Sequence, residues 1–410
     1  MEIRPILSSL LRNKTGALLI AAQVALSLAI VANALYIIRD RLAFAARPSG
    51  IPDESSLFHI DIATLKDPET PQEKIAMQKR DEEVLRAVPG VVSVTWTNMA
   101  PLTQSGWNMG LSLKREQTDS SAQTAMYFGP GSFVKTYDLK LVDGRDFTEE
   151  DVFENDPDKS EIMGENAIVT QALAKKLFPT ESAVGKQIFI GNGPRAQPLR
   201  IVGVVEKLQT PWTQAGERAE ISMILATRRV QSYSMFSVRT EPGQRDRVMK
   251  DAEAALLKIM PGRMVIQNKS MDEDRVDRYR DDRAVAWMLV TVTVLLLLVT
   301  ASGIVGMATL WVNQRRKQIG VRRALGARRF DILRYFITEN LMITTGGVAA
   351  GLVLAVALNQ LLVSQLELTK LPLGYLAAGA ATLWAIGVLA VYGPAWRASS
   401  ISPAIATRSA

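Results

Sequence analysis

A chain of 410 residues with 48% apolar content and 22% charge is too charged to lie wholly in a membrane and too apolar in places to be one water-soluble globule. The absence of cysteine excludes disulfides, thiol nucleophiles and thiolate metal sites, and the single histidine, His59, excludes a His-pair metal centre and reads as a surface or turn residue without a role. The net charge of +7 divides by position: 14 Lys/Arg face 4 Asp/Glu outside residues 39–286, and 34 face 37 inside that span, so the basicity belongs to the apolar segments and no nucleic-acid partner is expected.

In residues 1–16, Ile3, Ile6, Leu7, Leu10 and Leu11 recur at helical spacing with Arg4, Arg12 and Lys14 on other faces, the pattern of an amphipathic interfacial helix. Residues 17–38 follow without a charge, 22 residues or about 33 Å of helix, enough to cross a hydrocarbon core. A cleaved leader is the rival reading, because Ala32-Asn33-Ala34 fits a cleavage site, but the apolar run continues through Leu35, Tyr36, Ile37 and Ile38.

Residues 39–283 read as an α/β domain in which short strands alternate with helices. The predicted elements are a helix over Ile75–Ala87, a strand over 91–96, a strand over 167–169, a helix over Gln171–Leu177, strands over 187–190 and 199–205, a helix over Met249–Met260 and a short strand at 265–266. Residues 118–124 and 191–198 are expected loops, and Ser270–Arg283 a charged helix running unbroken into the next span as a rigid stalk. Glu149, Glu150, Asp151, Glu154, Asp156 and Asp158 lack the glycine and alternating ligand spacing of a calcium loop and read as a solvated acidic face.

Three further charge-free stretches, 284–312, 341–363 and 373–392, give spans at 284–312, 339–363 and 373–393, the last two joined by a short outer loop at 364–372. The connection 313–338 carries eight Arg and Lys residues, so the positive-inside rule places it in the cytoplasm, with the start of the chain and the tail 394–410 on the same side. The expected fold class is thus an α-helical membrane protein of four transmembrane helices, with a large α/β extracytoplasmic domain inserted between the first and second. Gly347-xxx-Gly351 allows close helix approach, either at a dimer seam or as ordinary transmembrane glycine. Asn33, Asn359 and Gln360 read as interhelical hydrogen-bonding groups.

No phosphate loop of the G-x-x-x-x-G-K-[ST] type occurs, and no nucleophile elbow, so an enzyme reading has little support. Within 313–338, Gly326 suits a left-handed helix stop, and Phe330, Leu333 and Phe336 suit a second apolar face. By composition alone the segment fits an ATPase groove or an anionic lipid surface equally.

The stretch QRRKQIGVRRALGARRFDILRYF, residues 314–336, resembles the signature after the second transmembrane helix of the MacB/FtsX permease family of ABC systems. PAWRASSISPAIATR at 394–408 resembles that family's tail, and GRDFTEED at 144–151, AIVTQALAKKLFPTESAVGKQI at 167–188 and LRIVGVVEK at 199–207 resemble its periplasmic core domain. The resemblance implies a permease of the bacterial inner membrane, both termini cytoplasmic, paired with a second permease subunit and docking two copies of an ABC ATPase that bind the ATP and magnesium. It implies an ATPase-coupling loop at Ile319, Gly320, Val321, Arg322, Arg323, Ala324, Leu325, Gly326 and Ala327. It further implies export of an antibiotic or peptide by mechanotransmission, with a periplasmic adaptor and an outer-membrane duct as partners. Lipoprotein release and regulation of a cell-wall hydrolase are the alternatives. Gln318 stands where family members commonly carry Glu, which puts in doubt any salt bridge made there.

Overall fold

The computed structural model describes residues 14–65, 68–159, 161–212, 219–231, 233–260, 262–366 and 370–401. They divide into two compact units: the residues up to Ala46 with those from Asp281 onward, and Arg47–Arg280. The expected N-terminal interfacial helix falls largely at residues 1–13, and the end of the tail at 402–410, both outside the described residues.

The described residues open with α1 (Lys14–Ala45), which ends seven residues beyond the expected span. The second unit then runs β1 (Leu57–Thr64), α2 (Pro71–Arg86), β2 (Val91–Thr97), β3 (Asn108–Ser112), β4 (Ala122–Phe128), α3 (Phe133–Tyr137), β5 (Leu141–Gly144), β6 (Phe153–Asn155) and β7 (Asn166–Thr170). It continues with α4 (Gln171–Leu177), β8 (Gln187–Ile190), β9 (Gln197–Val205), β10 (Ser222–Leu225), β11 (Thr227–Arg229), β12 (Ser234–Thr240), α5 (Arg245–Ile259), β13 (Arg263–Ser270) and α6 (Met271–Arg278).

β1, α2, β2, β12, α5 and β13 form a β-α-β-β-α-β module whose antiparallel sheet has the order β13-β1-β12-β2. Everything between β2 and β12 is an insertion built on a seven-stranded sheet, β5-β9-β7-β10-β4-β3-β8, and β8 also pairs with β9, so six of its strands close on themselves. The α2 start is set by a reciprocal cap, with Thr70 Oγ1 accepting from Glu73 N at 3.3 Å and Glu73 accepting from Thr70 N at 3.2 Å, which begins the helix four residues before the predicted Ile75. The insertion docks on that helix through Arg228 Nη2 and Glu82 Oε2, 2.6 Å apart and both buried, and through Gln78 Nε2, which donates to Arg229 O at 3.0 Å.

Alternation along β1 puts Phe58, Ile60 and Ile62 into the apolar core and turns His59 and Asp61 to the other face, which is also covered. His59 is therefore not the surface residue expected: it is 3% exposed, with Nδ1 3.1 Å from Asp274 Oδ2 on α6. Asp61 accepts from the Tyr233 hydroxyl at 2.5 Å, and burial pushes its carboxyl above the usual range. The acidic face is solvated at Glu149, Glu150, Glu154 and Asp158, which are exposed, while Asp151 and Asp156 are half-buried. Asp151 accepts from Arg145, Thr148 and Asn166, while Glu154 pairs with Lys79 and Asp156 with Lys159. Gly144 is required by a close approach at φ +73°, where a Cβ would fall 2.3 Å from Val202 O.

The expected stalk is interrupted: α6 closes at Tyr279 (φ −101°, ψ 14°), and α7 (Arg280–Gln314) starts afresh. Then come α8 (Arg316–Ala324), α9 (Arg329–Leu366) and α10 (Leu373–Ser399), so most of the expected loop at 313–338 is helical and the last helix continues past Pro394 into the expected tail. Among the described residues, α1, α7, α9 and α10 are long and apolar enough to cross a membrane.

Gly347 and Gly351 of α9 face α1 of the same chain: a Cβ at the first would lie 2.7 Å from Ala21 O, and at the second 2.9 Å from Leu28 Cβ. That contact is intrachain, which takes these two glycines away from the dimer seam. Asn33 Nδ2 donates across to Ala355 O at 3.1 Å and Asn340 Nδ2 to Gly387 O at 2.8 Å, while Ser27 and Thr300 hydroxyls meet at 2.8 Å. Asn359 instead accepts from Leu371 N at 3.0 Å, ordering the start of the next helix, and Gln360 is exposed.

Candidate functional site

The basic segment of the helical unit becomes a short helix held between two long ones. One side of α8 is anchored: Ile319 and Gly320 are buried, and Ile319 packs in an apolar cluster with Val312, Ile332, Phe336, Ala395 and Ala398. The first of these residues ends α7, the next two open α9 and the alanines close α10, so α8 is clamped by all three helices. Of the apolar face expected from Phe330, Leu333 and Phe336, only Phe336 is fully enclosed. Ile332 takes the other buried place, one turn earlier, and Phe330 is 66% exposed.

The start of α8 is fixed by an ion pair that local sequence patterns do not show. Arg315 Nη1 lies 2.9 Å from both carboxylate oxygens of Glu339, whose side chain is 1% exposed. Its end is fixed by backbone geometry: Gly326 has φ +98°, Gly326 N donates to Arg323 O at 3.2 Å and Ala327 N to Arg322 O at 3.1 Å, the paired bonds of a left-handed helix stop. Asp331 then accepts from Arg328 N at 2.9 Å and opens α9.

What the clamp leaves outward is an apolar tip in a cationic frame. Leu325 is 83% and Val321 50% exposed, beside exposed Arg322, Ala324, Arg328 and Arg329, with Arg322 stacked 5.0 Å over the Tyr335 ring and Arg323 half-buried. Gln318 is exposed among these cations. An exposed leucine and valine thus stand on a helix whose other side is packed against α7, α9 and α10.

Four membrane-length helices, a short braced helix between the second and third, and an α/β domain inserted after the first define the permease class of membrane transport proteins. The chain belongs to the MacB/FtsX family: the MacB-like periplasmic core domain matches residues 19–255, and the FtsX-like permease C-terminal domain matches residues 290–403. A macrolide export ATP-binding/permease protein MacB of Chromobacterium violaceum is 26% identical over 277 residues, covering 66% of this chain and 41% of that protein. Its counterpart in Bradyrhizobium diazoefficiens is 32% identical over 238 residues, covering 55% and 35%. The chain thus spans about two fifths or less of these curated relatives, whose names join ATP-binding and permease parts, and it covers the permease part. Among solved structures, the periplasmic region of MacB from Actinobacillus actinomycetemcomitans aligns with 55% of this chain and 92% of its own at 15% identity, TM-score 0.34.

Proposed function

We propose that this chain is the permease subunit of a MacB/FtsX-type ABC exporter of the bacterial inner membrane, with both termini cytoplasmic. Two ATPase subunits, holding ATP and magnesium, dock on the tip at Val321, Leu325 and Gly326, and a second permease subunit completes the membrane part. Closure of the ATPases on ATP pushes α8. The push moves α7, α9 and α10, and motion passes to the periplasmic domain through the two chain crossings at Ala46/Arg47 and Arg280/Asp281. The names of the curated relatives support export of macrolide-like antibiotics; a periplasmic adaptor and an outer-membrane duct complete the proposed path.

The observation that carries this reading is the exposure of Leu325 on a helix otherwise anchored in the core. The test is Leu325→Asp in the full chain reconstituted with its ATPase. Export coupled to ATP hydrolysis is expected to fall at least about tenfold, a loss of about 1.4 kcal/mol of coupling, while thermal stability is unchanged. Unchanged coupling refutes the docking role.

A further inference from the structure

The periplasmic unit holds a second feature that coupling to an ATPase does not use. A cavity of about 520 Å³ opens between Trp107 and Met109 beside β3, Met163 before β7, Ile190 at the end of β8 and Arg229 at the end of β11. That volume lies within the range of small-ligand sites. Its walls are pinned: Met163 N donates to Gln197 Oε1 at 3.0 Å, Gln197 Nε2 donates to Gly164 O at 2.6 Å, and the Trp107 ring rests edge-on against Phe128 at 5.6 Å.

Two of its residues are out of balance with their surroundings. Trp107 is 37% exposed, and with Met109, Met163 and Ile190 it gives the cavity an apolar lining. The Arg229 guanidinium stacks 4.5 Å over the Trp107 ring, is half-buried and has no ion-pair partner among the described residues; burial alone bears on it, lowering its pKa. Arg195 on the same lining is also without an ion-pair partner among the described residues, and Glu161 is the one carboxylate of the lining, so the opening carries an excess of positive charge. A stacked cation with free donors above an apolar floor is complementary to a ligand of opposite charge with an apolar body.

We propose that this cavity binds an apolar molecule carrying one carboxylate, its body on Trp107, Met109 and Met163 and its carboxylate on Arg229. A peptide C-terminus and a short acyl chain share that chemistry. Recognition here needs no nucleotide, so its failure leaves the coupling reading intact, and failure of coupling leaves this one intact.

The test is calorimetric titration of the full chain in lipid nanodiscs, without nucleotide, using N-acetyl-Leu-Leu-Phe as the free acid and as the C-terminal amide. The acid is expected to bind at least about tenfold more tightly than the amide, and Arg229→Met to abolish the difference while Arg229→Lys keeps part of it. Glu161→Gln, on an exposed side chain, keeps the test readable if Arg229→Met does not fold: it should tighten the acid about two- to threefold and leave the amide unchanged. Competition by octanoate assigns the site to acyl carboxylates as well, and absence of competition assigns it to peptide carboxylates. Equal affinity of acid and amide for the wild-type chain, or an acid affinity indifferent to both Arg229→Met and Glu161→Gln, overturns the proposal.

Discussion

Arg315 and Glu339, 24 residues apart in sequence, meet with Arg315 Nη1 2.9 Å from each oxygen of the carboxylate. The pair ties the first turn of the short helix to the long one that follows. Because Glu339 is almost fully enclosed, Arg315→Met strands a buried charge, and a loss of about 3 kcal/mol of stability is expected. Joining it with Glu339→Leu removes both charges and should recover most of that stability. Thermal inactivation in detergent reads both effects, and a double variant no better than Arg315→Met contradicts the explanation.

Neighbouring glycines in α9 should behave in opposite ways. A methyl group at Gly347 would press on Ala21 O at 2.7 Å and Val24 Cβ at 2.8 Å, so Gly347→Ala should force the two helices apart at about 1–3 kcal/mol. Gly346 meets nothing within 4 Å, and alanine there should be neutral or slightly favourable. Melting temperatures of the two variants that coincide would show that this packing contributes nothing.

Gly326 at φ +98° is the stop that turns the tip outward. Alanine there must adopt the left-handed region, at a cost of about 1 kcal/mol. Its β-carbon meets no neighbour, so the fold should survive while coupled ATP hydrolysis drops. Coupling at the wild-type level in Gly326→Ala would place the docking surface elsewhere.

The periplasmic unit should respond to acid through Asp151. The Arg145 guanidinium, helped by the Thr148 N–H and hydroxyl, holds the Asp151 carboxyl well below the usual carboxylate range. A depressed folded-state pKa means stability that is present above the unfolded value near 4 and is lost as pH falls from there toward the lower folded value. With Arg145 half-exposed, the loss is about 1–2 kcal/mol after allowance for screening. Asp61 has the opposite sign: burial raises its pKa, so its contribution is favourable at low pH and is lost as pH rises. Chemical unfolding followed by tryptophan fluorescence should show a flatter acid limb in Asp151→Asn and a steeper net acid loss in Asp61→Asn; identical profiles would remove both assignments.

Much of this architecture is written in local signals. Gln171–Leu177 and Gln187–Ile190 carry the ends read from the sequence, because Thr170 caps the helix and glycines bound the strand. Gly326 stops its helix by the conformation its residue type favours. β1 and β12 carry apolar–polar alternation, in Phe58-His59-Ile60-Asp61-Ile62 and Phe236-Ser237-Val238-Arg239, but were not among the predicted elements; what the sequence does not show is that their polar face is covered as well. His59 offered no pattern, since its partner Asp274 lies far along the chain, and the break at Tyr279 follows a charged run with no proline or glycine to announce it. The Arg315–Glu339 pair was hidden for the same reason: both residues were legible as charges and neither as a contact.

The most direct test of the central claim is a photo-crosslinking amino acid placed at Leu325 in native membranes. The expected adduct joins this chain to a nucleotide-hydrolysing ABC polypeptide, and the same group at buried Ile319 should give none. Adducts of Leu325 with lipid alone, or with periplasmic proteins, would contradict the coupling role and the orientation of the whole helical unit.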